Sequence, residues 1–99
     1  MRIELIKAPS KSFMEMLLNN TRPADRKRLE GIHWGAVGLV QAKLIDLYRA
    51  ADSAEKASNV VSILVLGSCP QHVQMLAIVG KQAAVRAALD KINEIIKNR

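Results

Sequence analysis

Cys69 is the single cysteine of the chain, and its setting is a turn, Gly67-Ser68-Cys69-Pro70-Gln71, between apolar runs at 60–66 and 73–79. A glycine and a proline around a thiol in a strand-to-strand loop keep it out of the core and hold it at a tip. A lone cysteine that is buried behaves as a small hydrophobe, and an accessible one as a free or redox-active thiol. A thiolate is also a soft metal ligand, yet one thiolate cannot hold a metal cluster. Metal chemistry here therefore requires other copies of the chain to bring their own Cys69 to the same place. His72, three residues on, is close enough to be a second ligand, or stands as a polar residue of the loop. Nucleophilic catalysis would need a histidine base oriented by an acid. Asp52, Glu55 and Asp90 are not placed beside His72 by any pattern, so enzyme activity is not expected.

The elements that must position this loop are readable. Residues 60–66 are apolar on both sides of the pleat, as in a strand covered on both faces, and 73–79 form the next strand. Residues 2–8 alternate polar and apolar, which predicts a half-buried strand stopped by Pro9. Ser12 and Glu15 have capping-box spacing, and Phe13, Met16 and Leu17 follow as an apolar face, predicting a short helix to about Leu18. Residues 19–30 are polar and contain Pro23, which reads as a loop or a loosely held short helix. His33-Trp34 leads into a strand at 35–41, whose glycines permit close approach of backbone or a helix. Trp34 is expected to cover one end of the core rather than to form a binding pair with His33. From 43 to 58 the pattern is helical, with Leu44, Leu47, Tyr48, Ala51 and Ala54 on one face and Asp52 and Lys56 spaced for an ion pair. Gly80 opens a last helix carrying Val85, Ala88, Leu89, Ile92, Ile95 and Ile96 on one stripe. The order β-α-β-α-β-β-α, without internal repeats, predicts an α/β (α+β) fold in which helices pack on a sheet.

Composition bounds the partners. Ninety-nine residues make one small domain, and a composition 49% hydrophobic but 3% aromatic builds its core from Val, Ile, Leu and Ala. So short a chain buries a modest fraction of its surface, and oligomerisation would add to its stability. No apolar run is long enough for a membrane span, and the N-terminus lacks signal-peptide character. A single cysteine excludes an internal disulfide, which fits the cytoplasm. The net charge of +6, from 15 Lys and Arg against 9 Asp and Glu, admits a small basic RNA-binding domain as an alternative. Against it, the cations are scattered, stacking aromatics are almost absent, and the Arg26-Lys27-Arg28 cluster is broken by Asp25 and Glu30. That cluster is expected to be a solvated loop, with contact to an acidic cargo as the lesser reading. A small-molecule regulatory module is a third class; neither alternative explains Cys69.

Two blocks carry a resemblance. Ala36-Val37-Gly38-Leu39-Val40-Gln41 with the Arg49 to Val60 stretch, and then Val79-Gly80-Lys81 through Asp90, resemble the first and second helical halves of a bacterial microcompartment shell domain. The likeness covers about residues 35–97. Residues 1–18 resemble the strand and short helix that normally close this domain, but here they come first. That is the pattern of a circularly permuted shell domain spanning 1–99, in which 19–34 form the new connection. The barrel-building segment that some permuted members carry ahead of this strand is expected to be missing.

The resemblance implies a mixed, mainly antiparallel sheet, a flat cyclic homohexamer that tiles with other shell proteins around enclosed enzymes, and a location in a cytoplasmic microcompartment shell. It implies that Gly67, Ser68, Cys69, Pro70 and Gln71 form the pore loop. The family's usual loop is Gly-Ser-Gly-like and passes small metabolites, so a cysteine and proline depart from it. The permuted shell proteins of glycyl-radical (propanediol) microcompartments are most alike, which implies an iron–sulfur cluster, of four irons and shared between subunits, on Cys69 at the pore. It would carry electrons across the shell or supply clusters to radical enzymes. Six thiols around four irons imply an asymmetric or opened ring. A shell tile passing metabolites without metal is the alternative. Lys56 and Lys97 fall at the family's hexamer-edge cations. No nucleic acid or membrane partner is implied.

Overall fold

Ala36 to Lys43 run antiparallel to Val73 to Gly80 over their whole length in a computed structural model, which describes residues 1–67 and 73–97. These two strands, β2 (Ala36–Lys43) and β4 (Val73–Gly80), form the centre of the sheet. The outer strands are β1 (Arg2–Lys7), on β2, and β3 (Val61–Val65), on β4. All three pairings are antiparallel, and the spatial order is β1-β2-β4-β3. Helices α1 (Lys11–Asn19) and α2 (Pro23–Leu29) connect β1 to β2. Helix α3 (Leu44–Ala57) crosses from β2 to β3, and α4 (Gln82–Lys97) follows β4. The predicted order is thus observed with one addition, because Pro23–Leu29 within the 19–30 stretch form a short helix.

The sheet is covered on both faces. On one, Ala36, Val40, Ala42, Leu76 and Ile78 pack against Leu47, Ala50 and Ala54 of α3 and Val85, Ala88 and Ile92 of α4. On the other, Val37, Ile63, Val65, Ala77 and Val79 pack against Leu17 of α1 and Leu29 of α2. Trp34 is half-buried at this second cluster, as expected of a residue covering the end of a core, and His33 is exposed. Small side chains let the layers approach closely. A Cβ built on Gly38 would lie 2.8 Å from Leu89 Cδ2, so the glycine in β2 leaves the room that Leu89 of α4 fills.

Three local expectations are corrected. The cap of α1 is Ser10, not Ser12: Ser10 Oγ accepts from the Phe13 amide at 3.1 Å, and Ser12 lies inside the helix. The cause is the turn at Ala8, whose φ of 44° reverses the chain at once after β1 and leaves Ser10 extended at the helix start. Tyr48 is 64% exposed, and Ala50 takes the core position, because Leu47, Ala50 and Ala54 share one stripe and Tyr48 lies about 100° round from Leu47. Arg28 is not simply solvated, as described below.

Gly38→Ala is expected to lower stability by about 1–3 kcal/mol through overpacking. In a Leu89→Ala background the same change should cost far less, a coupling that a denaturant double-mutant cycle measures. Additive costs would mean that the contact with Leu89 is not what requires glycine.

Candidate functional site

Val65 and Met75 are the last paired residues of the β3–β4 hairpin, and they fix the mouth from which the cysteine loop leaves. Ser68, Cys69, Pro70, Gln71 and His72 lie outside the described residues. Gly67 is exposed, and a Cβ added there would meet nothing within 4 Å among the described residues, which give no steric reason for glycine. Beside the mouth an open apolar groove of about 300 Å³ runs between α1 and the sheet, lined by Phe13, Met16, Leu39, Val65 and Met75 among others. No group of three or more His, Cys, Asp or Glu side chains able to hold a metal occurs among the described residues.

The expected edge lysine is at the far end of the domain. β3 ends and β4 begins beside the C-terminal end of β2, where α3 also starts, so α3 carries Lys56 away by its own length, about 20 Å for 14 residues. Lys56 Nζ lies 2.8 Å from Asp52 Oδ2, with the side chains 76% and 61% exposed. Lys97 is the last residue of α4, and its side chain lies outside what is described. The outer side of α3 also carries Ile45, 71% exposed, and Tyr48. Apolar side chains of this size in the open make this face of α3 unlike an ordinary solvated helix surface.

One polar cluster has no counterpart in the expectations. Glu55 Oε2 accepts from the Ser62 amide at 2.9 Å, from Ser62 Oγ at 2.7 Å and from Arg28 Nη2 at 3.2 Å. Arg28 Nη1 donates to the Ser62 carbonyl at 3.2 Å, and Asp25 lies 3.5 Å from the same nitrogen. The signal in the sequence was Ser62 itself: a polar residue inside an apolar strand needs a partner when buried, and it is 5% exposed. Its amide and hydroxyl find Glu55, and its carbonyl finds Arg28, 34 residues away in sequence.

Neither a family model nor a curated protein matches the chain. Solved structures do, and two of them are microcompartment shell proteins, which are structural rather than enzymatic. The ligand-free GrpU microcompartment shell protein from Pectobacterium wasabiae is 32% identical, with a TM-score of 0.79 over 93% of this chain and 99% of that one. The GrpU shell protein from Clostridiales bacterium 1_7_47FAA is 30% identical, with a TM-score of 0.68 over 95% and 92%. The chain belongs to the microcompartment shell protein family and is a shell subunit that assembles with copies of itself and other shell proteins. No helix among the described residues is long and apolar enough to cross a membrane.

Lys56→Ala is expected to change the unfolding free energy by no more than about 0.5 kcal/mol, since the pair with Asp52 is solvent-exposed. Equilibrium denaturation checks this. A loss of lateral assembly at unchanged stability would then locate the role of Lys56 between copies.

Proposed function

We propose that this shell subunit forms a cyclic homohexamer whose centre is ringed by the β3–β4 loops, each bringing one Cys69 to a shared iron–sulfur cluster. The carrying observation is the placement of the loop's ends: both leave the sheet at the end opposite Lys56, so one copy separates a candidate pore from a candidate rim by about the length of α3. The exposed Ile45 and Tyr48 give α3 an outer surface suited to a second copy. The donor set also favours sharing. Without a ligand trio among the described residues, thiolates from several subunits are the soft donors available to iron.

The cluster, when bound, supplies one-electron transfer, or iron and sulfide for delivery. The chain's own part is to hold thiols at one point and to couple their ordering to assembly. Lys56 and Lys97 would meet neighbouring tiles at the rim, and the enzymes enclosed would include glycyl-radical enzymes. His72 adjoins the thiol in sequence and is the candidate for a second ligand.

Anaerobic reconstitution of wild type and Cys69→Ser, followed by iron and sulfide assay and by sizing, tests the reading. Iron and sulfide in stoichiometric amounts on a wild-type oligomer, and their absence from an oligomer of the variant, are expected. A wild-type oligomer that takes up no iron would leave a tile that passes metabolites or seals the shell. A monomer with a steep salt dependence of RNA binding would return the chain to the basic-domain class.

A further inference from the structure

The connection between α1 and β2 lies along the free edge of the sheet. β3 pairs with β4 on one side only, and Ser62, Leu64 and Leu66 direct their backbone groups away from β4. At one end, the Leu66 amide donates to the Asn20 carbonyl at 2.7 Å. At the other, both outward groups of Ser62 are taken by side chains, its N–H by Glu55 and its C=O by Arg28. The strap thus runs antiparallel to β3, with Asn20 at Leu66 and Arg28 at Ser62, where a fifth strand would otherwise add. Buried Leu17 and Leu29 seat it, and Thr21, 3% exposed, donates its hydroxyl to the Leu17 carbonyl at 2.7 Å.

We propose that Arg28 and Glu55 form a latch that holds this strap over β3 and so blocks pairing of the sheet edge with a strand of a second copy. An exposed edge is a template for strand addition, and closing it leaves assembly to the other surfaces of the tile. Arginine is required because its fork serves two acceptors at once, the Ser62 carbonyl and the Glu55 carboxylate. Glu55 is required because its carboxylate closes the matching N–H and also satisfies the Ser62 hydroxyl.

Hydrogen exchange on the full chain, with sizing over a range of concentrations, tests the latch in Arg28→Met, Arg28→Lys and Glu55→Ala. In Arg28→Met the amides of 24–29 and of Ser62 should exchange about tenfold faster or more, the scale of a lost hydrogen bond to a charged group, with α4 unchanged. Arg28→Lys should restore only part of the protection. In Arg28→Met and Glu55→Ala the Leu64 amide, the outward donor between the two closed points, should become protected as concentration rises. Exchange at wild-type rates in α2 and Ser62 would overturn the latch. Larger species that leave Leu64 unprotected, or a Leu64 amide already protected in the wild-type assembly, would overturn the blocking of strand addition.

Discussion

The eight-residue pairing of β2 with β4, from Ala36 opposite Gly80 to Lys43 opposite Val73, is the constraint on which the rest of the domain depends. It puts β1 on one flank and β3 on the other, and it sets which side chains face which helix layer. A slip of one residue would turn Val40 and Ile78 from the α3–α4 face to the α1–α2 face and break both cores. It also brings Gly38 beneath Leu89, so the docking of α4 is a consequence of the same register. The ends of β3 and β4 that flank residues 68–72 inherit their place from this pairing, because β4 starts where β2 ends.

Covering both faces of so small a sheet with almost no aromatic residues imposes a particular packing. The α3 and α4 layer meets the sheet through alanines and β-branched residues, which allows a short distance between layers but buries little area per side chain. The second face is thinner, roofed by Leu17, Leu29 and half-buried neighbours, and it leaves the groove beside Met75 open. A domain of this size buries a limited share of its surface, and contact between copies adds to what its own core supplies. Membership of a family whose members assemble into shells agrees with that physics.

Much of this fold was legible because burial on two faces leaves strong periodic signals. The apolar run of β3, the alternation of β1, the glycine of β2 and the stripe of α4 each report a local contact that the sequence encodes within a few residues. Tyr48 was misplaced because Tyr48 and Ala51 both fit a helical spacing from Leu44, and only the angle at which α3 crosses the sheet decides between faces. Ser12 reads as a cap because Glu15 gives it capping-box spacing; the helix starts two residues earlier, after a positive-φ Ala8, and no residue type announces that conformation in an alanine. Arg28 was unreadable for a different reason. Its partners are a carboxylate 27 residues away and a carbonyl 34 residues away, so its role exists only after the strap has folded across β3. Of the candidate site, residue types and loop ends were legible from one chain, but a site shared among copies is a property of the assembly.

If each subunit contributes a single thiol, metal binding stabilises only the state in which several copies hold their loops together, and by linkage assembly raises the affinity for metal. The occupancy of the centre would then depend on protein concentration, and ligand loss would be felt at subunit contacts. The sheet edge sets a limit on such coupling. A tile that can also grow by adding strands at β3 would assemble without bringing its loops together, and metal could not favour the closed ring over the open chain. Closing that edge with the strap and its Arg28–Glu55 pair removes the competing geometry. The order of elements makes this possible, since α1 and α2 lie between β1 and β2 and so put a connecting segment along β3.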